Sequence, residues 1–173
     1  MRNGERRSRD RKPDDIVKAF ADQAQIGNIG LIVYHYSLPN NPINDWLVEH
    51  HKAEYNDVPD LFTECGFATA QVLAAGIEKA EGSTLPENLI PAMEGLQWDG
   101  PKGTYTMRAE DHQALMPMYV VKLVNLDDPD QKYYELVAEV SAEDTAPPCS
   151  FSPTTYGIMQ ICPSLSVSLI WKI

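Results

Sequence analysis

A chain of 173 residues, 43% of them hydrophobic, can build one good core, so a single main domain is expected. Its formal charge of −11 opposes a phosphate backbone, whose recognition rests on Lys and Arg, and this sets aside nucleic-acid binding. Three cysteines, Cys65, Cys149 and Cys162, with no Cys-x-x-Cys spacing, exclude a disulfide-rich scaffold.

The charge is uneven. Arg2, Arg6, Arg7, Arg9, Arg11 and Lys12 outweigh Glu5 and Asp10, so the first twelve residues carry +4 and the remainder −15. Residues 1–13 read as a basic disordered leader. No apolar stretch follows them, so the sequence as written predicts no secretory signal peptide. Asp14 or Asp15 is a helix cap for Ile16, Val17, Phe20 and Ala24, a helix predicted to end near Gly27. Leu31 to Tyr36 is β-prone and reads as a strand stopping at Pro39-Asn40-Asn41-Pro42. Asn41 caps the next helix, with Pro42 at its first position, and the helix runs to about Tyr55.

Asn56-Asp57-Val58-Pro59 breaks that helix, and Asp60 caps a longer one to about Ala80. Its middle, Cys65 to Ile77, has no charge and many small residues, the composition of a helix buried on nearly all sides. Cys65 is expected to be a small buried side chain there. Thr84 and Glu87 have capping-box spacing for a short helix to about Met93. Strands are predicted near Leu96 to Trp98 and Thr104 to Met107, flanking the turn Gly100-Pro101-Lys102-Gly103, and another at Met116 to Val124. Asp127 to Asp130 is a loop, and Tyr133 to Val140 is predicted as a short helix with Leu136, Val137 and Val140 facing inward. Residues 149–173 form a tail whose alternating Leu165, Val167, Leu169 and Trp171 suggest a strand; Pro163 and the serines oppose a membrane helix. Cys149 and Cys162 could pair in an oxidising compartment, which sequence alone leaves open.

The chemistry-bearing residues are sparse. His35, His50, His51 and His112 form no HExxH pattern and no i, i+4 pair, so no metal site is expected. No motif calls for a cofactor. Asp111-His112 could orient a general base, which keeps a hydrolase as a remote alternative, but no GxSxG nucleophile completes a triad. Gly100-Pro101-Lys102-Gly103-Thr104 fails the phosphate-loop template, because Pro101 lacks an N–H to donate. The aromatic residues are better placed. Tyr34, His35 and Tyr36 end a strand, and Phe62 and Phe67 stand on the second helix after it. Ligands of open α/β sheets lie beyond such strand ends, so these five are the candidate ligand-binding residues, with core packing the competing reading for each ring.

In order and spacing, several pieces resemble one family. They are Asn41-Pro42, Pro59-Asp60-Leu61-Phe62, Gly66-Phe67-Ala68, Ala75-Gly76-Ile77-Glu78-Lys79-Ala80, Ala92-Met93-Glu94-Gly95, the Gly100 to Gly103 turn and Asp111-His112-Gln113. The stretch of about 14–148 resembles the C-terminal part of type I periplasmic solute-binding proteins of ABC transporters, the Leu/Ile/Val-binding group. The resemblance implies an α/β fold, an incomplete form of two lobes that close over a ligand, with helices packed on a mixed sheet. It implies a non-enzyme that binds amino acids or related small polar or aromatic compounds and docks on ABC permease membrane subunits. A ligand-sensing regulatory domain of the same fold is the alternative. The location implied is periplasmic; the sequence as written, lacking a signal peptide, would stay cytoplasmic. A truncated or rearranged gene product is expected, with the family's main ligand contacts in earlier segments.

Overall fold

The computed structural model describes residues 26–146, 152–154 and 158–160. The helix expected before Gly27, the strand expected near Leu165, and Cys149 and Cys162 lie outside the described residues. Strand β1 (Ile29–Ile32) leads to helices α1 (Pro42–Tyr55), α2 (Leu61–Lys79) and α3 (Pro86–Met93). Strands β2 (Gln97–Gly100), β3 (Gly103–Met107), β4 (Ala114–Leu115), β5 (Met118–Leu123) and β6 (Tyr134–Val140) follow. A one-turn helix α4 (Ala142–Thr145) and a hairpin of β7 (Ser152–Thr154) and β8 (Ile158–Gln160) complete the order. The architecture is α/β as expected, but the described strands pair antiparallel throughout, in sheets β1-β5-β6, β2-β3-β4 and β7-β8, where a mixed sheet was anticipated.

The helix starts follow the sequence closely. The Asn41 side chain accepts hydrogen bonds from the backbone N–H groups of Ile43 and Asn44, each at 3.0 Å, which satisfies two donors that a helix start leaves unpaired. Its amide also donates to the Pro101 carbonyl at 2.8 Å, so the cap ties α1 to the β2–β3 turn. Asn41→Ala is therefore expected to cost about 1–2 kcal/mol, read from the shift of a urea unfolding midpoint. Asp60 caps α2 through Thr63 in the same way. Asn56 ends α1 in the left-handed region, at φ 53°, the conformation that asparagine tolerates at a helix end.

Residues Pro101 and Lys102 alone join β2 to β3, because Gly100 pairs with Gly103 across the hairpin. Gly103 has φ 109°, a conformation costly for any side chain. At Gly100 the constraint is space: a Cβ there would lie 2.4 Å from a ring carbon of Tyr105. The ring fills the place where a side chain would stand.

Four expectations need correction. Residues 134–140 are a strand, not a helix, because β5 offers them a ladder from Met118–Val140 to Leu123–Tyr134, and six paired positions outweigh a single isolated helical turn or two. α3 is not capped by the Thr84–Glu87 box; its cap position is Leu85, which makes no side-chain cap bond, and Ser83 instead accepts from Leu85 N–H and the Asn88 amide. α2 buries one stripe only, Glu64, Ala68, Val72 and Gly76 at four-residue steps, and leaves its opposite face in the open. Cys65 stands on that open face and is exposed.

The core that positions the candidate site joins Tyr34, Tyr36 and Val58, with Val48 and Leu61 packed against them. Along β5 the alternation buries Tyr119, Val121 and Leu123. Among the described residues no helix is long and apolar enough to cross a membrane.

Candidate ligand-binding site

The chain leaves β1 at Ile32 and enters the segment 34–36 buried rather than open. Tyr34 donates through its hydroxyl to Asn44 Oδ1 at 2.8 Å, and the Asn44 amide donates to the Tyr36 carbonyl at 2.9 Å. A fully engaged asparagine on the first turn of α1 thus holds both ends of the segment. Burial, reinforced by the charge of Glu64, pushes the Tyr34 hydroxyl well above the usual tyrosine range. It therefore stays a proton donor.

His35 is 3% exposed, and its two ring nitrogens have opposite roles. Nε2 lies 3.0 Å from the Gln131 carbonyl, an acceptor, so Nε2 carries the proton. Nδ1 then accepts from the Ser37 hydroxyl at 2.9 Å. Desolvation is the main reason that His35 titrates low, at about 4. The Tyr36 hydroxyl donates to the neighbouring Asp130 carbonyl. These bonds pin the β5–β6 loop onto the segment after β1, and that loop is itself shaped by Asp128, whose carboxylate accepts from the N–H groups of Asp130 and Lys132.

The loop leaves two adjoining hollows. One, about 460 Å³, is bounded by Tyr36, Ser37, Pro39, Asp45, Lys52 and Lys132 among others. The second, about 230 Å³, lies between the end of α1 and residues Pro129 to Gln131 and shares Lys52. The Lys52 ammonium sits over the Tyr36 ring, 5.2 Å from its centre. A tyrosine face beside two lysines and two carboxylates can hold a small molecule that is apolar in one part and charged in another.

The five sequence-derived candidates do not come together. Tyr36 lines the larger hollow, whereas Tyr34 and His35 are buried behind it. Phe62 is 69% exposed on α2. Phe67 packs on Trp46, with ring centres 5.6 Å apart, at a separate apolar cavity. Lys52 and Lys132 were not singled out from the sequence, and no motif marks them; only the fold brings them to one hollow.

Asp111 and His112 are likewise separated in their bonding. Arg108 grips both oxygens of Asp111, at 2.8 and 2.6 Å, which holds that carboxyl below its usual range, while His112 Nε2 lies 3.0 Å from Glu94. The local turn that places His112 at φ 58° is closed by its N–H on the Arg108 carbonyl. The segment caps a surface turn. No group of three or more metal-ligating side chains occurs among the described residues.

Comparison with known proteins gives the context for this geometry. The family model for periplasmic binding proteins matches residues 14–129. The chain belongs to that family. A crystal structure described as an ABC-type branched-chain amino acid transporter, from Rhodopseudomonas palustris, is 40% identical, with TM-score 0.65 over 75% of this chain and 34% of its own. The leucine-, isoleucine-, valine-, threonine- and alanine-binding protein of Brucella ovis shares the fold at 21% identity and TM-score 0.63, with coverage of 79% and 36%. A solute-binding protein of an ABC transporter from R. palustris BisB5, solved with 3,4-dihydroxybenzoic acid, does so at 22% identity and TM-score 0.59, with coverage of 68% and 31%. The chain spans about a third of the length of these relatives. No curated protein matches it.

Proposed function

We propose that the chain acts in the substrate-binding component of an ABC transporter for amino acids or related small polar or aromatic compounds. The observation that carries this reading is the family match over 14–129, supported by the 40% identical relative described as a branched-chain amino acid transporter. The work is binding rather than chemistry, in the periplasm, with delivery to membrane permease subunits. Residues 14–148 form the binding-protein portion, between the leader and the tail. Within it, the hollow beside Tyr36, Lys52 and Lys132 offers a ring face and cations to an aromatic or amino-acid carboxylate, and Tyr34 and His35 hold Tyr36 in place from behind.

The test is a chimera in which residues 29–129 replace the matching third of the 40% identical R. palustris protein. Titrated in a calorimeter with leucine, valine and 3,4-dihydroxybenzoate, the chimera is expected to bind at least one at micromolar Kd. Tyr36→Ala should then weaken binding about tenfold or more, the scale of one lost ring contact. A folded chimera that binds none of the panel contradicts the reading.

A further inference from the structure

We propose that the cavity between α2, α3 and the β2-β3-β4 sheet is a second binding site, separate from the hollow beside Tyr36, and that it takes a small neutral phenol. The cavity is about 340 Å³, room for one substituted ring. Its walls come from this chain's own elements. On the sheet, Trp98 stands opposite Tyr105 in the β2–β3 register, and their rings stack with centres 5.2 Å and planes 21° apart. Met107, two residues beyond Tyr105 on β3, faces the same side, and Met93 of α3 and Met116 after β4 extend that lining. Two small residues leave the space open: Ala68 on α2, and Ala114, which pairs with Met107 across β3 and β4.

The lining selects a flat ring. Three of the six methionines of the chain border this one cavity. Thioether sulfur makes favourable contacts with aromatic rings, and the unbranched side chain reshapes around a guest, while the Trp98 and Tyr105 pair offers further ring contact. The α2 wall selects the substituent. The Thr69 hydroxyl donates to the Cys65 carbonyl at 2.7 Å, so its lone pairs remain to accept. The Cys65 thiol donates to Glu64 Oε2 at 3.6 Å, and burial with the charge of Glu64 holds that thiol above its usual range, still S–H. Glu64 also accepts from the Tyr105 hydroxyl. This wall therefore presents acceptors and a negative charge, with its donors spent. It repels an anionic ligand and holds an O–H. On the sheet side the need is reversed, because Trp98 Nε1 is buried with its N–H unpartnered. A phenolic hydroxyl both donates and accepts, which answers both walls.

Cys65 and Thr69 are exposed, so the cavity opens to solvent along α2. None of the residues lining the hollow beside Tyr36 lines this cavity, and the two differ in character: that hollow has two lysines for a carboxylate, whereas this one has a carboxylate of its own. The inference therefore stands apart from the transport reading.

The test is an NMR titration of the 173-residue chain, with isotope-labelled methionine methyl groups, against phenol, toluene and benzoate. Phenol is expected to shift the Met93, Met107 and Met116 signals along saturating curves with a Kd of about 1 mM, the scale for a ligand of so few atoms. Toluene, a similar ring without the hydroxyl, should bind about tenfold more weakly, and benzoate should leave the three signals in place. Thr69→Val keeps the shape of an exposed side chain and removes its acceptor. It should weaken phenol about tenfold and leave toluene unchanged, a split that general damage to the fold would not produce. Unmoved methyl signals at ten times the expected Kd overturn the proposal, as does phenol binding indifferent to Thr69→Val or benzoate binding as tight as that of phenol.

Discussion

Replacing Glu64 with alanine is expected to destabilise the fold by about 3 kcal/mol, the upper end of what is lost when a buried polar group is left without its hydrogen-bond partner. Glu64 is fully buried on α2, and its carboxylate accepts from the hydroxyl of the equally buried Tyr105 on β3. That hydroxyl also accepts the Lys102 N–H at 3.3 Å. The Lys102 side chain, 3% exposed, lies over the Tyr105 ring, 5.7 Å from its centre. Burial lowers the Lys102 pKa and the charge of Glu64 works against that lowering, so the carboxylate is what keeps an otherwise desolvated ammonium tolerable. Alanine at 64 strands a hydroxyl and a cation together. Tyr105→Phe removes one hydrogen bond and leaves one carboxylate oxygen bare, for about 1–3 kcal/mol. Glu64→Gln keeps an acceptor for Tyr105 and should fall below Glu64→Ala. Urea unfolding of the three variants measures the order; equal losses would show that the network does not act through charge.

Acidification should produce the second large effect, through His35. Its folded pKa, about 4, lies below the ordinary value of 6.5, so the unfolded chain takes up the proton first as the pH falls. The stability that neutral His35 contributes is complete above about pH 6.5 and is lost progressively from there toward pH 4. A gap of this size corresponds to about 3 kcal/mol. The structural reason is burial: a protonated His35 would carry its charge in a site that water does not reach. Unfolding free energies at pH 7 and pH 4.5 should differ by about 2–3 kcal/mol more in the wild-type chain than in His35→Gln, which has nothing to titrate there. Parallel slopes for the two proteins would show that His35 is already free to protonate in the fold.

Local signals made much of the fold legible. Asn41-Pro42 and Asp60 set the starts of α1 and α2 because their caps satisfy donors that any helix leaves open, and such chemistry is written within four residues. The Gly100 to Gly103 turn was readable for the same reason. Residues 134–140 were not, because Leu136, Val137 and Val140 have helical spacing and the decisive partner, β5, lies across a loop. Thr84 and Glu87 had the right spacing for a box, yet Ser83 takes the role one residue earlier. The α2 composition announced burial on all sides, while these residues cover one.

The candidate site was less legible than the fold. Aromatic residues after a strand were a sound place to look, and Tyr36 does line a hollow, but Tyr34 and His35 next to it turn inward onto Asn44 and Gln131. Lys52 and Lys132 are eighty residues apart in sequence and meet only because the β5–β6 loop folds back onto α1. Nothing local encodes that meeting. Family membership, in contrast, was carried by many weak pieces in a fixed order, which is why it could be read before any coordinates.

We propose that these residues carry part of a binding protein's cleft and need the rest of the fold to hold a ligand, since a site open on one side cannot bury a small molecule. The most direct measurement is a pair of calorimetric titrations with leucine, valine and 3,4-dihydroxybenzoate, one on the 173-residue chain alone and one on the chimera with the R. palustris relative. The account predicts no measurable heat of binding from the chain alone at millimolar ligand and micromolar binding by the chimera. Micromolar binding by the isolated chain would contradict it.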